Sequence, residues 1–181
     1  GLAALPTTEI PIYGDYHDLI ADQAVQAVVV VTPPSLCLEI CLAAVKAGKP
    51  LLIEKPLAET GHAARAMVAA AEAANILLMT AQTLRFDRTI LLLKERLPEI
   101  GRFRYATFTS RIETKASAQA LSPMPGQRGA LLELGVHLLD LVPFLTGEQI
   151  VDVRCEMDQL PPLAPETMAL VQARTSSGIR C

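Results

Sequence analysis

The stretch Val25-Gln26-Ala27-Val28-Val29-Val30-Val31-Thr32-Pro33-Pro34 joins a nearly unbroken β-branched run to a proline stop. A run of this kind predicts a central strand buried on both faces of a parallel sheet. Pro34 suits the first turn of a helix, where the missing N–H would have had no partner anyway. Leu36, Ile40, Ala43, Ala44 and Ala47 then form a helical stripe, and Gly48 stands where a C-terminal cap is expected. Together these residues make one βα unit. The unit recurs as a short strand, Pro50-Leu51-Leu52-Ile53, then Glu54-Lys55-Pro56, then an alanine-rich helix from Thr60 to Ala74 closed by Asn75, then a strand from Ile76 to Thr80. Strands alternating with helices of this length imply right-handed crossovers and an α/β, doubly wound parallel sheet. Upstream, Asp15-Tyr16-His17-Asp18 reads as an N-cap with an acidic first turn, opening a short helix.

Beyond Thr80 the pattern changes. A helix from Asp87 to Leu97 is broken by Pro98, and the aromatic and β-branched residues from Arg102 to Ile112 read as a long strand. Residues Glu113 to Arg128 carry Ser, Pro, Gly and Gln and read as a loop. Gly129 to Thr146 is apolar and helical, with Gly147 at its end. Strand-like segments follow at Ile150 to Glu156 and Met168 to Thr175. Ser176-Ser177-Gly178 reads as a hairpin turn, after which Ile179-Arg180-Cys181 begins a returning strand. This half is expected to be α+β with a mostly antiparallel sheet. No internal repeat is visible.

The 181 residues are 51% hydrophobic and 19% charged, a globular composition. A net charge of -3 leaves no general basic surface for phosphates, so the expected partner is a small molecule, with no nucleic acid. Charged residues interrupt every apolar run before it reaches membrane-spanning length, so no membrane association is expected. The first residues, Gly1 to Pro6, do not read as a signal peptide. Cys37, Cys41, Cys155 and Cys181 lack Cys-x-x-Cys spacing and fit reduced thiols in a cytoplasmic protein; Cys37 and Cys41 share a helix face, as core residues would.

Ligands of open parallel sheets sit beyond the carboxyl ends of the strands, and two polar clusters fall there: Thr32-Pro33-Pro34 and Glu54-Lys55-Pro56. Lys55, directly after a buried strand, could serve proton transfer; it could equally be a surface lysine paired with Glu54. The helix from Gly129 is apolar around most of its circumference and so is expected to be buried. Yet Glu133, His137 and Asp140, spaced by four and three, fall on one narrow stripe of it. Buried ionisable groups need partners, water or a cavity, and a histidine flanked by carboxylates is a proton-transfer device near neutral pH. A satisfied structural network or an exposed face explains the stripe as well. Metal binding by Glu133 and His137 is a weaker option, because no second histidine or cysteine lies on the stripe. No metal is expected. His17 and His62, at helix starts, read as solvated or capping residues.

At these residues a resemblance appears. Leu52-Ile53-Glu54-Lys55-Pro56-Leu57, preceded by Val30-Val31-Thr32-Pro33-Pro34 and followed by Leu84-Arg85-Phe86-Asp87, resembles the nucleotide-binding half of the Gfo/Idh/MocA dehydrogenases. Gly129-Ala130-Leu131-Leu132-Glu133-Leu134-Gly135-Val136-His137-Leu138-Leu139-Asp140 resembles the signature helix of their second domain. The resemblance implies a partial NAD(P)-binding Rossmann-like domain over residues 1–83 and a partial C-terminal substrate and oligomerisation domain over residues 84–181. It implies hydride transfer between NAD or NADP and a secondary alcohol of a sugar, cyclitol or related polyol. Lys55 would match the family's active-site lysine, Pro56 the proline that often follows through a cis peptide, and His137 the acid or base on the substrate hydroxyl. Glu133 stands where many members have Asp. Thr32, Pro33, Pro34, Glu54 and Lys55 would line the cofactor site.

Three departures accompany it. The glycine-rich turn that receives the pyrophosphate has no counterpart in these residues, which weakens the expected cofactor binding. Pro143 suggests a kink or early end in the signature helix. The second sheet lacks strands, so self-association into a homo-oligomer is expected of a half-finished edge. A non-catalytic homologue that binds a small molecule or a protein is the alternative function, and metal-assisted hydrolysis by Glu133 and His137 a second enzymatic one.

Overall fold

A computed structural model of the chain describes residues 10–111, 129–158 and 165–181. The fold divides into two compact units, Gly1–Met79 and Thr80–Cys181.

The first unit begins with α1 (Tyr16–Ala21), whose N-cap Asp15 accepts a hydrogen bond from the His17 N–H. β1 (Val28–Val30) leads into α2 (Pro34–Lys46), which starts on Pro34, and Gly48 takes the left-handed conformation (φ 72°) that a glycine adopts without a Cβ penalty. β2 (Leu51–Ile53) and α3 (Gly61–Ala73) follow, the helix capped by the Thr60 hydroxyl on the Ala63 N–H. β3 (Leu78–Thr80) completes a sheet of order β1-β2-β3, with β1 and β2 parallel in the register Val28 to Leu51 and Val30 to Ile53. The fold class read from the sequence is the one observed. Val28, Val30, Leu51 and Ile53 pack with Cys37, Ile40, Cys41 and Ala44 of α2 and Met67 and Ala71 of α3. Complete burial of Ile53 or Met67 contributes about 1.5–3 kcal/mol each.

Burial of β1 on both faces is corrected by the structure: Val29 and Val31 are 66% and 72% exposed. Right-handed crossovers that advance β1-β2-β3 in one direction place α2 and α3 on the same face. On the other face Val29 stays exposed, while its register partner Leu52 is half-buried.

The second unit opens with a 3-10 turn (Thr83–Phe86) and α4 (Arg88–Arg96), whose N-cap Asp87 accepts from the Thr89 and Ile90 N–H groups. A second 3-10 turn (Leu97–Ile100) contains Pro98. The strand expected from Arg102 to Ile112 is not observed across its described residues. Only Tyr105 forms a bridge, with Arg180, flanked by hydrogen bonds between Ala106 N–H and Arg180 O and between Arg180 N–H and Arg104 O. The loop Glu113–Arg128 lies outside the described residues.

The signature stretch is a π-helical turn (Leu131–Gly135) continued by α5 (Val136–Thr146), which ends at Gly147 with φ 73°. Pro143 does not terminate α5, which runs three residues further. Nor is the helix enclosed as its apolar composition suggested: Leu141, Val142 and Leu145 are buried, while residues 133–140 are only half-buried. β4 (Ile150–Asp158) and β5 (Met168–Thr175) pair antiparallel, and Gly178 (φ 93°) turns the chain so that Thr175 N–H bonds Ile179 O and Cys181 N–H bonds Ala173 O.

Candidate functional site

In the first unit the parallel pair brings two loops to one edge. β1 ends at Val30 and β2 at Ile53, the Glu54 N–H bonds the Val30 carbonyl, and residues 31–34 and 54–56 therefore leave adjacent strand ends. Thr32, Glu54 and Lys55 are half-buried there, Pro33 is exposed and Pro34 buried. The Glu54 carboxylate accepts from the Lys55 backbone N–H at 3.0 Å. The Lys55–Pro56 bond is cis. α2 begins on this rim without a side-chain cap, and the Thr32 hydroxyl lies 3.9 Å from the Cys37 sulfur. A carboxylate, a hydroxyl and an ammonium on neighbouring strand ends suit a ligand rich in hydroxyl and amide groups.

In the second unit two polar pairs join the turn after β3 to α5. Gln82, 9% exposed, places its side-chain oxygen 2.9 Å from His137 Nδ1. One turn further along both segments, the Arg85 guanidinium binds the Asp140 carboxylate through Nε at 2.7 Å and a terminal nitrogen at 2.6 Å. The spacing is three residues on each side, 82 to 85 and 137 to 140. This two-nitrogen pairing raises the Arg85 pKa, against the opposing effect of burial. Arg85 also lies 5.3 Å from the Phe144 ring centroid, and Lys94 lies 3.9 Å from it. The His137–Asp140 half of the expected stripe is thus a satisfied network. Glu133 sits in the π turn, whose extra residue per revolution changes its angular relation to His137 from that of an unbroken α-helix.

The structure brings Thr32, Pro33, Pro34, Glu54 and Lys55 to one sheet edge, and Glu133 and His137 onto one helical segment. The two groups lie in separate units. Among the described residues no three His, Cys, Asp or Glu side chains converge to hold a metal ion. Sequence reasoning missed Gln82, whose neutral side chain carries no pattern, and Glu166, which stands just before β5. The Glu166 carboxylate accepts from the Leu131 N–H at 3.1 Å, and its carbonyl accepts from the Ala130 N–H.

Residues 2–82 match a family model described as an oxidoreductase family with an NAD-binding Rossmann fold, and residues 93–181 match the Gfo/Idh/MocA C-terminal domain. The levoglucosan dehydrogenase of Pseudarthrobacter phenanthrenivorans is 33% identical over 141 residues, which are 74% of this chain and 36% of that enzyme. The inositol 2-dehydrogenase of Paracoccus denitrificans is 30% identical over 175 residues, 94% of this chain and 51% of that enzyme. A solved levoglucosan dehydrogenase in complex with NADH and levoglucosan superposes with a TM-score of 0.75 at 28% identity, covering 93% of this chain and 49% of that one. The chain thus spans at most about half the length of these relatives.

Proposed function

Because the chain belongs to the Gfo/Idh/MocA oxidoreductase family, we propose that it carries the catalytic residues of an NAD(P)-dependent dehydrogenase acting on a secondary alcohol of a sugar, cyclitol or related polyol. The observation that carries this reading is His137. An ionisable ring sits on a largely apolar helix and directs its Nδ1 at the side-chain oxygen of a buried amide. A group so placed can exchange a proton near neutral pH.

In this reading residues 1–83 are part of the nucleotide-binding domain and residues 84–181 part of the substrate domain. Thr32, Pro33, Pro34, Glu54 and Lys55 hold the cofactor, whose ribose hydroxyls and carboxamide fit the acceptor and donor set at the β1 and β2 ends. When bound, oxidised nicotinamide accepts hydride from the substrate carbon. The protein's own residues manage the proton: His137 and Lys55 receive or return that of the substrate hydroxyl, and Glu133 orients or tunes them. Cyclitols and anhydrosugars are the substrate classes named for the relatives, and they support the polyol reading.

The test is steady-state turnover by the full-length protein with NAD+ and NADP+ against myo-inositol and levoglucosan. We expect one pair to be consumed, and His137→Asn and Lys55→Met each to lower kcat on the order of 10²- to 10⁴-fold, with cofactor binding by fluorescence retained in His137→Asn. Unchanged kcat in both variants contradicts the assignment.

A further inference from the structure

Gln82 is buried, neutral, and absent from the chemistry described so far, yet its side-chain oxygen lies 2.9 Å from His137 Nδ1. A carbonyl oxygen can only accept. The ring nitrogen facing it must therefore carry the hydrogen, and a neutral imidazole with Nδ1–H has its lone pair on Nε2. We propose that Gln82 is a positioning residue that fixes the Nε2-basic tautomer of His137, making Nε2 the atom that exchanges the substrate proton. This rests on the reading of His137 as acid and base.

The surrounding geometry supports the assignment. Gln82 immediately precedes the 3-10 turn whose Arg85 grips Asp140, so the main chain at residue 82 is tied to α5 three residues from the contact it makes. The amide is held at the ring rather than reaching it from a mobile loop. During alcohol oxidation the carbon loses hydride, with its electron pair, to oxidised nicotinamide. The hydroxyl proton moves to Nε2, and a C=O bond forms. His137 is then an imidazolium, and its Nδ1–H still donates to the same oxygen. The contact serves both protonation states, so no rearrangement is needed between them.

A neutral acceptor differs from a carboxylate in one measurable respect: it orients the ring without adding negative charge. Glu133 and Asp140 lie on the same helical segment as His137, and Arg85 comes from the turn that carries Gln82. Arg85 and Asp140 largely offset one another. Gln82→Glu keeps an acceptor at the contact and adds a full charge, which favours imidazolium.

Two measurements on the full-length protein test this. The first reads the ring-nitrogen NMR signals of His137 in isotope-labelled protein, assigned by their loss in His137→Asn, at a pH where the ring is neutral. Gln82 as proposed gives the Nδ1–H form in the wild type and a mixture with the Nε2–H form in Gln82→Leu. An Nε2–H wild type overturns the proposal. The second is the pH profile of kcat/KM with myo-inositol or levoglucosan, whichever is turned over. Gln82→Glu should move the acidic limb up by about one pH unit, and Gln82→Leu should lower kcat on the order of 10- to 100-fold with KM little changed. An unmoved limb in a folded Gln82→Glu protein also overturns it. If His137→Asn retains full activity while the tautomer is as stated, the catalytic reading fails and the positioning contact stands.

Discussion

Arg85 and Asp140 stand 55 residues apart in the chain, and only the fold joins them. Their pairing uses two guanidinium nitrogens, a geometry stronger than a single contact. Because Arg85 is 42% exposed, water screens the attraction, and the net worth is modest. In a double-mutant cycle of Arg85→Ala and Asp140→Asn followed by chemical denaturation, we expect a coupling on the order of 1 kcal/mol. Independent effects would show that the pair does not secure α5. At this scale the sequence shows the places of Lys55, just after β2, and His137, on a largely apolar helix, and the structure puts both there. The sequence was illegible at Gln82, whose contact depends on the turn geometry after β3 and on no property of glutamine. Asp140 was noticed on its helix, but its partner lay in a different element.

Elements were easiest to read where local chemistry and tertiary packing agree. α2 and α3 follow from their apolar stripes and from caps at Pro34, Gly48 and Thr60, and both pack as expected. Burial on both faces of β1 was read from composition alone, which cannot tell which face its neighbours cover. The π turn was not legible either. There the Glu166 carboxylate caps the Leu131 N–H, and a Cβ on Gly129 would sit 1.9 Å from that carboxylate. Gly129→Ala must push the Glu166 side chain away. We therefore expect it and Glu166→Ala each to cost about 0.5–2 kcal/mol, with the double variant costing little more than either single one. Additive losses in thermal unfolding would contradict a shared contact.

The turn after β5 carries its own titratable clasp. Glu148 accepts from the Ser177 N–H at 2.9 Å and from the Ser176 hydroxyl, and hydrogen bonds led by that of the Ser177 side chain lower its pKa from 4.5 to about 2. A carboxylate with a depressed pKa in the fold stabilises it above the unfolded value and loses that contribution as pH falls toward the folded one. Wild type should thus exceed Glu148→Gln in stability at neutral pH, with the gap closing between about pH 4.5 and pH 2. A gap independent of pH across that window would show that the hydrogen bonds do not depend on the charge.

At the scale of the whole molecule, the β4–β5 ribbon alternates an apolar face, Val151, Val153 and Met157 against Val171, with a mixed one on which Asp152, Arg154, Glu156 and Arg174 stand beside Leu170 and Met168. Val151, Val153 and Met157 are each more than half exposed. We expect the full-length protein to self-associate through that face, and Val153→Lys to shift its light-scattering mass toward the monomer. A mass unchanged by Val153→Lys would place any oligomer contact elsewhere. No described helix is long and apolar enough to cross a membrane. The change of pattern after Thr80 is visible in the sequence, whereas the extent of each sheet was not, because pairing partners of an edge strand leave no mark in its own sequence.

Under the proposed function, the full-length protein removes hydride from a polyol carbon. The decisive measurement supplies myo-inositol deuterated at its ring carbons, or levoglucosan labelled likewise, to the full-length protein with NAD+ and NADP+. Mass analysis of the reduced nicotinamide then follows the label. We expect one deuterium on the nicotinamide ring per turnover, and a slower rate than with unlabelled substrate if the transfer limits it. Bound cofactor that stays oxidised across the polyols supplied, or reduced cofactor free of deuterium, would contradict it.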